Sequence, residues 1–353
     1  MTATRFYAPP LDGLRAVAFA LVFCSHVPGL WFFPGGFGVT VFFFLSGYLI
    51  TTLLRLEVRA TGRIDVAAFF GRRVLRILPP YFLTLGLVWA VAAASGAALR
   101  GEAFAWQALF ATNYWVVGHG DAGLPPGSEV YWSLAVEEHF YLLFPWVAIG
   151  LFRGLSRGAS RAAVLLGACA VVLGWRVALF WWLDPGDAAR LTYASDTRID
   201  SILFGCVLAL WGNPVLDPVP PALARHAGAM LGAAGLGLGL TLVPRDPTFR
   251  ETLRYTLQGL LLLPVYHALL ARQDLAVARW LARPGVRWLG VLSYTLYLVH
   301  DSALAGAVGL VGRSPGAVAL AAGLALAGSI AYAAAMHRWV ERPLARWRAR
   351  LRR

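Results

Sequence analysis

The chain has 353 residues, 59% of them hydrophobic and 14% charged, against about 45–50% apolar and about 25% charged in soluble domains. That balance excludes an ordinary soluble globule and fits a membrane bundle, as do 14 Trp, 37 Gly and 20 Pro, because rings anchor at interfaces, Gly allows close helix approach and neighbouring helices tolerate Pro. The net charge of +13 would point to nucleic acid in a soluble protein; here it sits on arginines between apolar runs, where it sets topology and binds phosphate, so no nucleic-acid partner is expected.

The N-terminus lacks the basic start and small-residue cleavage site of a secretory signal, so the first apolar run is expected to stay as a helix. That run, near 11–31, carries Asp12, Arg15 and His26, and ionisable groups in a span face the protein interior or a watery cavity. Eleven residues bring Arg15 and His26 to one helix face, with roughly 16 Å of rise between them, so one ligand can touch both. The competing reading makes Arg15 a snorkelling anchor paired with Asp12 at i, i+3 and His26 a packed interfacial residue.

The second span, near 36–54, combines Gly35, Gly36, Gly38, Gly47 and Ser46, as close-packed membrane interfaces do. The loop 55–76 holds Arg55, Arg59, Arg63, Arg72, Arg73 and Arg76 and is expected on the cytoplasmic side. Arg73 and Arg76 share one face at the mouth of the third span (77–97) and match a phosphate or diphosphate, the alternative being simple positive-inside charge. Pro79 and Pro80 are expected to kink that helix at its start. The stretch 103–117 is too short to cross comfortably and reads as a re-entrant or interfacial helix.

The fourth span, 130–152, places Glu137, Glu138 and His139 inside the bilayer, where carboxylates need partners. Ser133, Glu137 and Tyr141 lie at i, i+4 and i+8 and form a polar stripe for a sugar hydroxyl or for the carboxylate itself. At similar depth Glu137 and His26 can meet, which would leave one imidazole nitrogen as a general base; the alternative is a helix-locking ion pair of Glu137 with an arginine. Further spans fall near 162–182, 198–212, 226–243, 255–271, 288–311 and 317–340. This ten-span register puts both termini inside and gives 22 arginines inside against 7 outside, as the positive-inside rule requires. Cys24, Cys169 and Cys206 are scattered through apolar stretches, so neither a disulfide framework nor a metal site is indicated. The expected fold is an all-α, polytopic transmembrane helix bundle of about ten spans, one membrane domain over 1–353 with a basic cytoplasmic tail over 341–353.

At this point several motifs agree with one family. LDGLRAVAFALVFCSH, GVTVFFFLSGYLIT, RRVLRILPPYF, YWSLAVEEHFYLLFP, SDTRIDSILFGCVLA, LGVLSYTLYLVH and WVERPL occur in the order seen in the bacterial acyltransferase 3 family of membrane O-acyltransferases, and the resemblance covers nearly the whole chain. Thr40 stands where family members often carry Asp, and the fused extracytoplasmic domain of some members is not expected here. The resemblance implies a multi-pass enzyme of the inner (plasma) membrane. It moves an acyl group, often acetyl, from cytoplasmic acyl-CoA to a hydroxyl of a glycan, a lipid-linked sugar or a small natural product, with no permanently bound cofactor. By the same resemblance His26 is the catalytic base and Arg15 its motif partner. Arg73 and Arg76 bind the donor's phosphates, and Arg198, Asp200, Ser133 and Glu137 line the cavity. His300 ends a family-like motif, and a structural role is preferred for it. The rival class is a transporter or flippase using His26, Glu137 and Asp200 as proton-relay groups; a catalytically dead scaffold of the same fold is a further alternative.

Overall fold

The computed structural model describes residues 7–183 and 188–350, with side chains to 347. Arg5, Arg352 and Arg353 of the charge count, and the side chains of Arg348 and Arg350 in the basic tail, lie outside the described residues. Every regular element among the described residues is helical. In chain order these are α1 (Pro9–His26), α2 (Gly35–Thr61), α3 (Val66–Ala94), α4 (Gly101–Ala108), α5 (Thr112–His119), α6 (Trp132–Gly154), α7 (Gly158–Trp182), α8 (Ala188–Tyr193), α9 (Ser195–Arg198), α10 (Asp200–Leu210), α11 (Pro221–Leu242), α12 (Arg254–Ala271), α13 (Ala276–Leu281), α14 (Pro284–Val311), α15 (Pro315–Met336) and α16 (Arg342–Arg350).

Six helices among the described residues are long and apolar enough to cross a membrane: Gly35–Thr61, Val66–Ala94, Glu129–Gly154, Gly158–Trp182, Pro284–Val311 and Pro315–Trp347. The expected spans at 11–31, 198–212, 226–243 and 255–271 correspond to α1, α10, α11 and α12, which are shorter, less apolar or both. Helix α1 stops at His26 rather than near 31 because Pro28 cannot continue it and Gly29 turns at φ +88°. His26 is therefore the last helical residue and not a mid-span one. The arginine loop is also shorter than expected. Asp65 caps α3 by accepting from the Ala68 N–H at 2.9 Å, so Arg72, Arg73 and Arg76 stand on the first turns of α3, and Pro79 and Pro80 lie inside that helix, not at its start. The 103–117 stretch divides into α4 and α5, each of 8 residues, far too short to cross.

The chain's contacts divide it into two units, neither continuous in sequence. The first comprises Met1–Ala18, Gly36–Ile64 and Val136–Trp288. Its centre is α10, buried along its whole length. Backbone meets backbone where α2 crosses α10: a Cβ on Gly47 would fall 1.9 Å from the Ile202 carbonyl oxygen, and one on Gly205 would fall 2.0 Å from that of Phe44, so only Gly permits this approach. A buried ion pair ties α10 to α7 and α12. The Arg176 guanidinium reaches both Asp200 oxygens at 3.2 and 2.9 Å and the Thr256 hydroxyl at 2.6 Å, and both charged side chains are fully buried.

The second unit comprises Phe19–Gly35, Asp65–Ala135 and Leu289–Arg353. Gln107 is its polar hub. It accepts from Trp89 Nε1 at 2.7 Å through its side-chain oxygen, donates to the Ser128 hydroxyl at 3.0 Å, and its backbone carbonyl accepts from Tyr81 at 2.7 Å. Tyr131 donates to the Leu298 carbonyl at 2.9 Å and Tyr294 to that of Ile77 at 3.1 Å, which fastens α14 to the 129–131 turn and to α3. Satisfying such groups internally is what an apolar surrounding demands.

Candidate active site

The second unit brings the end of α1 against α14. His26 Nδ1 lies 2.8 Å from the Val22 carbonyl oxygen, one turn earlier. A carbonyl only accepts, so this bond places the proton on Nδ1 and leaves the Nε2 lone pair for other work. Nε2 faces Asp301 Oδ2 at 3.7 Å, too long for a direct hydrogen bond. The His26 side chain keeps 31% of its accessible surface, Asp301 12%. The pair is reachable but largely shielded.

Around this pair the walls are fixed. His300, fully buried, stacks edge-on against His26 with ring centroids 5.2 Å apart and against Phe19 at 5.6 Å. Its Nδ1 donates to the Tyr297 carbonyl at 2.9 Å. Glu129 lies within electrostatic reach of both His26 and Asp301. The turn before it is pressed onto α14: Gly127 has φ +74°, and a Cβ there would sit 2.4 Å from the Asp301 carbonyl carbon, so Gly is required at this point. Ser133, named from sequence, donates to the Tyr297 phenol at 2.7 Å, and that phenol donates to the Val130 carbonyl at 3.1 Å. Arg73 and Arg76 belong to this unit as well, half-buried on α3, with the Arg73 guanidinium 5.8 Å from the Phe69 ring centre.

The other residues named from sequence fall in the first unit. Asp12 accepts from the Tyr7 hydroxyl at 3.0 Å. Arg15 lies within electrostatic reach of Tyr266. Glu137 is half-buried on α6, and Tyr141, next on the expected stripe, shares a 2.5 Å hydrogen bond with Ser46. Arg198, 1% exposed, lies over the Tyr255 ring at 3.8 Å and donates to the Thr192 carbonyl at 3.0 Å. Its other nitrogen is 3.4 Å from the Thr40 hydroxyl, so the position that departs from the family pattern is the one that meets this buried cation. Asp200 is taken up by Arg176. The sequence reading did not name Asp301 or Glu129. An Asp directly after His300 in an apolar run was signal enough to suspect the first, but nothing local says that it faces a histidine 275 positions earlier in the chain.

The membrane-length helices make this a multi-pass membrane protein, and the second unit carries a histidine–carboxylate pair at the end of its first helix. The family described as an acyltransferase domain, acyltransferase 3, matches residues 10–334, and the chain belongs to that family. Relatives include the peptidoglycan O-acetyltransferase OatA of Listeria monocytogenes, 30% identical over 84% of this chain and 49% of its own length. The putative peptidoglycan O-acetyltransferase YrhL of Bacillus subtilis is 32% identical over 83% and 48%, and a putative O-acetyltransferase of Staphylococcus aureus (strain COL) is 29% identical over 83% and 50%. The chain thus spans about half the length of the curated relatives it matches. No solved structure matches it.

Proposed function

We propose that the chain is an O-acyltransferase of the inner (plasma) membrane, taking an acyl group, acetyl in the first instance, from cytoplasmic acyl-CoA to a hydroxyl, with His26 as the general base. The observation that carries this reading is the placement of His26: Nδ1 lies 2.8 Å from the Val22 carbonyl oxygen, and Nε2 opens toward Asp301 at 3.7 Å. An acceptor hydroxyl that reaches Nε2 from its open side gives its proton to Nε2 as its oxygen attacks the thioester carbonyl carbon. The carbon–sulfur bond then breaks, coenzyme A leaves as thiolate, and the proton held on Nε2 is free to reach it. The imidazolium formed on the way faces Asp301, whose negative charge stabilises it. The acceptor is a glycan, a lipid-linked sugar or a small natural product; the names of the relatives favour a glycan. Arg73 and Arg76 are assigned to the phosphates of the donor. The excess of arginine on the segments read as inner supports cytoplasmic termini.

Purified protein in detergent, given acyl-CoA and a polyhydroxylated acceptor, should release free coenzyme A in an acceptor-dependent way. No release would favour transport over transfer. Arg73→Ala should raise KM for acyl-CoA about tenfold, the loss of one charge-assisted bond of about 1.5 kcal/mol. Unchanged donor affinity would remove Arg73 from the phosphate site.

A further inference from the structure

The first unit holds a cleft of about 260 Å³ lined by Arg55, Val58, Arg59, Phe152, Ser156 and Arg161 together with Leu210. The cleft lies at one end of three membrane-length helices. Arg55 and Arg59 stand in the last turns of α2, Phe152 in the last turn of α6 and Arg161 in the first turn of α7. Such helix ends lie at the depth of lipid headgroups.

Its charge is unbalanced. None of the lining residues is acidic. Asp217, outside the lining, is approached by both Arg55 and Arg59, the former with a bidentate clamp and the latter at 3.2 Å. Arg161 stacks over Phe152 at 4.3 Å and donates from Nε to the Leu155 carbonyl at 2.9 Å, closing the end of α6. Arg55 and Arg161 are close enough to repel each other. Asp217 meets two of the three guanidiniums, Arg55 and Arg59, and Arg161 is held by the Leu155 carbonyl, so an anion entering the cleft meets donors already in place.

Val58, Phe152 and Leu210 add apolar side chains to the lining. A ligand with a phosphate at one end and hydrocarbon at the other satisfies both the guanidiniums and these side chains, and arginine-rich pockets between helix ends are suited to acidic phospholipid headgroups. We propose that this cleft binds a phosphate ester, presented by an anionic phospholipid, with Arg59 and Arg161 meeting the phosphate and Phe152 the start of the acyl chain. The site is separate from the donor phosphates assigned to Arg73 and Arg76, and the proposal stands whether or not the acyl-transfer reading holds.

The test is native mass spectrometry of the full chain in detergent, with phosphatidylglycerol and phosphatidylcholine supplied at equal amounts and inorganic phosphate as competitor. The wild type should retain phosphatidylglycerol in at least fivefold preference. Two variants at exposed positions of the cleft, Arg59→Gln and Ser156→Glu, should each cut that preference at least threefold while the unfolding midpoint stays within about 3 °C. Equal retention of the two lipids by the wild type, or an unchanged preference in both variants, would overturn the proposal. Displacement of the lipid by millimolar inorganic phosphate would overturn the assignment to a lipid and leave a soluble phosphate in its place.

Discussion

At the scale of single residues the proposed chemistry turns on one imidazole and one carboxyl group. Asp301→Asn keeps the shape of the side chain and removes the charge that faces Nε2 at 3.7 Å. Turnover should fall on the order of ten- to a hundredfold, part of what a positioned proton acceptor contributes, with little change in KM for the donor. A variant whose turnover equals the wild type's would take Asp301 out of the reaction. A second residue acts through stability. Burial alone would raise the carboxyl of Asp217, but the hydrogen bonds and charge of Arg55, helped by Arg59, hold it below the ordinary carboxylate range. A carboxyl lowered on folding stabilises fully above the ordinary value near pH ~4, and that contribution fades as pH falls through the lowered value. Asp217→Asn should lower stability by about 1–3 kcal/mol at neutral pH and flatten this acid limb; unfolding midpoints in detergent between pH 7 and pH 3 measure both. His26 was legible from sequence because an ionisable group in an apolar helix calls for an explanation. The facing Asp301 was not, since expected depth along two helices places Glu137 as plausibly as any other acid.

At the scale of helices, the α7–α10–α12 lock shows why Asp200 needs another account than its place in a motif. The ion pair of Arg176 and Asp200 is fully buried and supplemented by Thr256, and a buried pair is costly to break from one side. Arg176→Met should destabilise by about 3–5 kcal/mol, whereas Arg176→Met with Asp200→Leu should recover most of that loss, because no charge is then stranded. Denaturant or thermal unfolding of both variants checks this; a double variant as unstable as the single would show that the lock acts by more than charge. Arg176 stands in the apolar run of α7 with no acid within one turn of it to mark a partner. The partner that explains it is 24 residues further on in a helix of only 11 residues. The positions of the helices themselves were largely legible, since apolar runs of about 20 residues mark them directly. Their ends were less so: Asp65 as a cap and Pro28 as a stop shift boundaries by several residues, which hydropathy does not register.

At the scale of the whole molecule, seven motifs in order were enough to suggest the family, and the match over residues 10–334 establishes it. Six helices of membrane length among the described residues agree with the multi-pass reading, while the division into two units, neither continuous in sequence, was not visible in the sequence. Contacts between segments hundreds of residues apart decide that division, and no local pattern encodes them. The central claim is that His26 removes the acceptor's proton during acyl transfer. The most direct measurement is the transfer of labelled acetyl from acetyl-CoA to a hydroxylated acceptor by the reconstituted chain, wild type beside His26→Ala. The account predicts ester formation by the wild type and a loss of about a hundredfold or more in the variant, with the variant's unfolding midpoint unchanged. Equal rates in the two proteins would contradict it.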